Sequence, residues 1–122
     1  QEFGCSSQWL PSDEIPEFAE RTMRHALDCA NLWGFTWWCS HDLDPGLVGF
    51  HPMEYDLGLF DARGRPKPVT EVFRRLAREE FPDPAPRTQA VVLPDDFGRV
   101  DGPDWRVGVR FAELAEAGGR PA

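Results

Sequence analysis

No apolar run in this sequence approaches the roughly 20 residues that a membrane-spanning helix needs, and positive charge is scarce. Thirteen Lys+Arg stand against 21 Asp+Glu, a formal net charge of -8. That balance has the wrong sign for a surface that binds by neutralising phosphates, so neither nucleic acid nor a membrane is an expected partner. Lysine is nearly missing: every basic residue except Lys67 is arginine. Cysteine is sparse and odd in number. Cys5, Cys29 and Cys39 lack CxxC spacing and support neither a disulfide scaffold nor a four-ligand zinc site, which leaves buried free thiols as the expectation and mildly favours the cytoplasm. Gln1 is not an initiator methionine, and Gln1-Glu2-Phe3-Gly4 has neither the charged start nor the apolar stretch of a signal peptide, so the sequence reads as beginning inside something larger. At 122 residues the chain allows one domain at most.

What is present alternates between strand and helix patterns. Residues Gln1 to Cys5 are short and compatible with a strand, and Ser6 to Pro11 read as a loop. Ser12 or Asp13 is the expected N-cap of a helix with Pro16 in its first turn. Ile15, Phe18, Ala19, Met23, Ala26, Leu27 and Ala30 recur at three and four residues, opposite Glu17, Glu20, Arg21, Arg24 and Asp28, which predicts one buried face. Trp33-Gly34-Phe35-Thr36-Trp37-Trp38 is a continuous apolar run of strand length, the pattern of a strand covered on both faces.

Cys39 to Pro68 form a long connection with a tight turn at Asp61-Ala62-Arg63-Gly64. A second helix is predicted after Pro68, with Val69, Val72, Phe73, Leu76 and Ala77 on one stripe. The order β, α, β, α argues for a parallel α/β architecture. Prolines at 82, 84 and 86 suit a stiff extended linker, so residues 82–88 mark an expected boundary between segments 1–81 and 89–122. In the last segment Gln89-Ala90-Val91-Val92-Leu93 is a candidate buried strand, and Asp104 to Ala117 a helix with Trp105, Val109, Ala112 and Leu114 or Ala115 facing inward. This is the pattern of the first β-α unit of a further α/β domain.

An acidic residue in a short buried-looking strand is costly unless it stands at the strand's end in a polar site, so Glu2 calls for a reason. A solvent-facing boundary carboxylate is the plain alternative. Tryptophan offers a rigid apolar plane and an indole N–H that suit the C–H face of a pyranose. Adjacent strand residues point to opposite faces, so only one of Trp37 and Trp38 can face such a site, and core packing is the alternative for either. Trp9 is a candidate subsite edge, with loop packing as its alternative, and His41 a candidate partner for sugar hydroxyls at the strand end, with a loop histidine held by a neighbouring carboxylate as its alternative. Cys39, His41, Asp42 and Asp44 fit no standard metal-ligand spacing, and no metal is expected. Cys5 and Ser6 have no histidine placed in sequence for a nucleophile dyad.

Glu2-Phe3-Gly4, Phe35-Thr36-Trp37-Trp38-Cys39-Ser40 and Leu57-Gly58-Leu59-Phe60-Asp61-Ala62-Arg63-Gly64-Arg65-Pro66-Lys67-Pro68 occur in this order. Together they resemble the last two β-α units of the retaining glycoside hydrolases of clan A, whose family 5 includes cellulases and β-mannanases. The resemblance covers about residues 1–81. It implies a TIM (β/α)8 barrel whose seventh strand carries the nucleophile, matched by Glu2, and whose eighth carries a subsite tryptophan, for which it favours Trp38 over Trp37. It further implies hydrolysis of β-linked oligo- or polysaccharides without a cofactor. The clan's acid/base is a Glu directly after an Asn, but the only Asn here, Asn31, is followed by Leu32. The resemblance therefore places the acid/base upstream and makes the chain a carboxyl-terminal fragment, inactive by itself. The segment after residue 88 resembles the start of the flavodoxin-like or Rossmann-like domains appended to some glycosidase barrels. Two rival classes remain: a non-catalytic carbohydrate-binding module with Trp9, Trp37 and Trp38 as its platform, and a glycosyltransferase read through Asp42 and Asp44.

Overall fold

A computed structural model describes residues 2–84, 92–93 and 106–117. The chain forms two compact units, 1–85 and 86–122.

In the first unit two short strands, Glu2–Phe3 (β1) and Thr36–Trp37 (β2), pair in parallel, with Glu2 opposite Thr36 and Phe3 opposite Trp37. The ladder continues one step further, where the Trp38 N–H donates to the Phe3 carbonyl oxygen at 2.8 Å. A Cβ on Gly4 would lie 2.3 Å from the Trp38 carbonyl oxygen, so the missing side chain permits this approach. Between the strands runs the helix Ile15–Leu27 (α1), and after them comes Pro68–Leu76 (α2); these two helices pack together.

Parallel strands alternate their side chains with a period of two. Phe3 and Trp37 accordingly point to the helices, whereas Glu2 and Thr36 point away and are exposed. Ile15, Ala19 and Met23 of α1 and Val69, Val72 and Leu76 of α2 meet Trp37 and Cys5 in one core. Aromatic rings fill its centre. Phe3 meets Trp37 edge to face at 5.2 Å and lies near-parallel to Phe73 at 6.5 Å, while Trp37 and Phe73 meet at 82°. Edge-to-face contact suits the ring quadrupoles. The Trp37 indole N–H donates to the Leu57 carbonyl oxygen at 2.7 Å, which satisfies the one polar group that this ring buries.

Several expectations are corrected. The N-cap of α1 is Glu14, without a side-chain cap bond, not Ser12 or Asp13; the Glu14 N–H already bonds the Pro11 carbonyl in the preceding turn. The helix ends at Leu27, and Asn31 takes a left-handed φ of 63°, so Ala30 lies outside the buried stripe and is exposed. The run from Trp33 to Trp38 is not a strand covered on both faces. Only Thr36 and Trp37 are strand, Trp33 is fully exposed, and among the described residues β1 is the only strand that pairs with β2. Among the described residues helices cover one face of this pair, and Glu2 and Thr36 on the other face are exposed. Cys29 is exposed rather than buried, Cys39 is partly buried, and all three thiols are free.

The connection between β2 and α2 contains a 3-10 helix, Pro52–Asp56. The turn at Asp61 is held by its own carboxylate, which accepts the N–H groups of Arg63 and Arg65 at 2.9 Å each, while Gly64 supplies a φ of 75°. In the second unit the helix Arg106–Ala117 (α3) has Ala115 buried and Val109 exposed, so Val109 does not face inward. Val92 and Leu93 are exposed and carry no strand. Residues 85–91 and 94–105, which include most of the expected linker and the rest of the expected strand, lie outside the described residues.

Candidate active site

Along β1, with Glu2 and Phe3 both in its lining, and just past the end of β2 lies a cleft of about 240 Å³. Glu2 and Gly4 border it from β1 and the residue just after, Trp9 from the following loop, and Trp38 from the end of β2. Glu2 and Trp38 lie on the same side of the pair because each is one residue away from a side chain committed to the core, Phe3 and Trp37. Among the described residues nothing hydrogen-bonds the Glu2 carboxylate, which is exposed. Trp9 and Trp38 are 61% and 51% exposed, so both offer open ring surface. The Trp38-Cys39 peptide is cis.

The 3-10 helix supplies Met53 and Glu54, and the residue after it Leu57, to the same cleft. The sequence marks neither Met53 nor Glu54 as a site residue, and Leu57 only as part of the stretch that runs to Pro68. His51 followed by Pro52 is a helix-start signal, and the His51 ring does accept the Met53 N–H at 3.4 Å, but nothing local tells where that turn lies in space.

The remaining candidates lie elsewhere. Trp37 is 5% exposed, in the core, and does not line the cleft, so the two-residue alternation places it on the helix side. His41 does not line the cleft either. Its ring lies on that of Phe60, centroids 5.1 Å apart and 24° from parallel, in a bridge that joins the two residues' backbones. Asp44 accepts the Gly46 N–H at 2.8 Å in a local turn, and Asp42 is taken up by Lys67. The two carboxylates of the Asp-x-Asp triplet thus serve separate local structures. Among the described residues no group of three or more His, Cys, Asp or Glu stands close enough to hold a metal ion.

Behind the cleft, Lys67 Nζ lies 3.0 Å from Asp42 Oδ1 and 2.8 Å from Asp56 Oδ1, and it also donates to the Asp56 carbonyl oxygen at 2.9 Å. Burial opposes the charge on Lys67, but the two carboxylates outweigh it and raise its pKa. Burial likewise opposes ionisation of Asp56, yet the hydrogen bonds from Lys67 and Ser7 hold its carboxyl below the usual carboxylate range. Burial pushes the Cys5 and Cys39 thiols up, so neither is activated as a nucleophile.

No family model matches the chain, and no curated protein does. Solved structures do. A variant of GH5_18 from Bifidobacterium longum subsp. longum, in complex with Manβ1-4GlcNAc, is 39% identical with a TM-score of 0.76 over 100% of this chain and 31% of that one. GH5_18 from Streptomyces cattleya in complex with GlcNAc is 38% identical with a TM-score of 0.76, over 100% of this chain and 32% of that one. A variant of the Streptomyces cattleya enzyme in complex with Manβ1-4GlcNAc is 36% identical with a TM-score of 0.77 at the same coverage. This chain thus spans about a third of the length of the enzymes it matches, and the likeness includes its second unit. Over its full length and at 36–39% identity, the chain is similar to part of the GH5_18 enzymes, glycoside hydrolases of family 5 in clan A with a TIM-barrel fold.

Proposed function

We propose that this chain is the carboxyl-terminal part of a (β/α)8-barrel glycoside hydrolase that cleaves β-linked saccharides with retention, β1 and β2 being the seventh and eighth barrel strands. The observation that carries the reading is the cleft in which the exposed Glu2 stands beside the open rings of Trp38 and Trp9. A Glu2 carboxylate oxygen attacks the anomeric carbon as the glycosidic oxygen departs. A second carboxyl group, supplied from outside this chain, protonates that oxygen and then activates the water that releases the glycosyl ester. Retention requires the two groups about 5 to 5.5 Å apart. Two carboxyl groups suffice for this chemistry, so the reading calls for no cofactor.

Because GH5_18 structures hold Manβ1-4GlcNAc, we take a β-mannosyl-GlcNAc disaccharide as the substrate of the intact enzyme. Trp38 and Trp9 would meet sugar faces, and Glu54 would accept hydrogen bonds from hydroxyls. Residues 89–122 would open an accessory α/β domain beyond the proline-rich stretch 82–88.

The test is trapping. A fluorinated mechanism-based β-mannoside given to the full-length enzyme should esterify the peptide holding Glu2 and no other; a label on another carboxylate refutes the assignment. The exposed Trp9 and Trp38 would equally serve a carbohydrate-binding module, and saturable disaccharide binding with neither labelling nor turnover would establish that reading instead.

A further inference from the structure

The cleft is built from three stretches of chain that are far apart in sequence: 2–9 with Glu2 and Trp9, the end of β2 with Trp38, and the 3-10 helix with Met53 and Glu54. Strand pairing joins the first to the second. Lys67 also links all three, bonding Asp42 and Asp56 directly and the first stretch through Asp56. Its ammonium bonds Asp42, four residues beyond Trp38, through both carboxylate oxygens at 3.0 and 3.3 Å. It bonds Asp56, the last residue of the 3-10 helix, through Oδ1 and the main-chain oxygen. The other Asp56 oxygen accepts the Ser7 N–H at 2.8 Å, two residues before Trp9. Asp42 Oδ1 also accepts the Gly58 N–H at 2.7 Å, just after the cleft residue Leu57. Lys67 itself stands on a firm base: its own N–H bonds the Leu59 carbonyl at 2.9 Å, and it caps α2, whose apolar stripe is in the core.

From this geometry we infer that Lys67 is a positioning residue of the sugar site, one that never touches substrate but sets Trp9, Trp38, Met53 and Glu54 around Glu2. The inference rests on the sugar-cleaving function proposed above. Three N–H groups of an ammonium are matched by Asp42, Asp56 Oδ1 and the Asp56 carbonyl, so no donor is left to offer a ligand. The side chains of Lys67, Asp42 and Asp56 are only 21%, 12% and 31% exposed, and none of the three lines the cleft. The choice of residue fits this role. In a chain whose other basic residues are all arginine, the exception stands where a compact tetrahedral donor must serve acceptors in different directions, which the flat fork of a guanidinium does not do.

The test uses the full-length enzyme with Lys67→Met, Lys67→Arg and Asp56→Asn. Each is compared with the parent for KM and kcat and for the unfolding midpoint, and, on a Glu2→Gln background that does not consume the disaccharide, for the Kd of Manβ1-4GlcNAc by calorimetry. In Lys67→Arg and Asp56→Asn, Kd and KM should rise roughly tenfold to a hundredfold, as for a displaced binding wall, while kcat falls less because Glu2 is held by β1–β2 pairing. The fluorinated sugar should still label Glu2, at higher concentration. If Lys67→Met fails to fold, the other two variants decide. A lowered midpoint with parental Kd and KM would make the triad purely structural and overturn the inference. Absence of a label on Glu2 in the parent enzyme would refute the proposed nucleophile, and Kd in Lys67→Arg would still decide the role of Lys67.

Discussion

On the helix side of the parallel pair, Phe3, Trp37 and Phe73 pack ring against ring over Met23, Val72 and Leu76, and the one buried polar atom in that aromatic cluster finds a carbonyl. Beyond the strand ends the chain is held instead by ions and loop hydrogen bonds, with Lys67, Asp42 and Asp56 standing behind an open cleft. Trp37 belongs to the first region and Trp38 to the second, one residue apart. The difference shows how one short strand serves two ends: the face turned to the helices contributes stability by burial, and the opposite face presents groups whose value lies in being left open.

Replacing a group that acts only at the open end breaks the comparison most sharply. Glu2→Gln keeps the shape and removes the nucleophile, so turnover of the full-length enzyme should fall by several orders of magnitude while the unfolding midpoint and disaccharide binding stay close to parental. Steady-state kinetics with calorimetry check both halves; near-normal turnover would remove Glu2 from the site.

The converse change is in the core. Trp37→Ala should destabilise by about 3–5 kcal/mol, the usual cost of truncating a buried aromatic, as seen in denaturant unfolding. A change of under about 1 kcal/mol would mean that the Phe3–Trp37–Phe73 cluster is not the centre of the core.

Trp38→Ala sharpens the contrast with its neighbour. It should weaken disaccharide binding by about 0.5–1.5 kcal/mol, a few-fold to about tenfold, with little loss of stability. Parental affinity together with a large stability loss would exchange the roles of the two tryptophans.

The smallest effect concerns the rim of the helix layer. Hydrogen bonds from Arg75 and Arg24 hold the Glu20 carboxyl down to about 2 from its ordinary 4.5. A depressed folded-state pKa contributes stability that is fully present above about pH 4.5 and is lost as the pH falls toward 2. Glu20→Gln should therefore flatten the acid limb of the stability profile in that window and leave the curve near pH 7 almost parallel to the parent's. An unchanged acid limb would show that these exposed pairs do not couple to folding.

The amphipathic stripes of α1 and α2 were legible because helical periodicity is local: Ile15, Ala19 and Met23, and Val69, Val72 and Leu76, mark buried faces within a few turns. The β-α order was legible for the same reason, as was the opposite orientation of Trp37 and Trp38, which follows from the two-residue period of a strand. Family likeness was legible in short stretches around Glu2, Trp38 and Lys67-Pro68. Which of the two tryptophans faces the helices was decided by tertiary packing, through Phe3 and Phe73 on one side and an open cleft on the other. Tertiary structure also decided that Trp33 is bare, because a run of apolar residues does not say which faces will be covered. It drew His41 onto Phe60, brought Met53 and Glu54 to the cleft, and joined Lys67 to Asp42 and Asp56, 25 and 11 residues away. Such contacts arise from how a long connection closes on itself. Loop closure depends on three-dimensional geometry, and it leaves no periodic trace in the order of the residues.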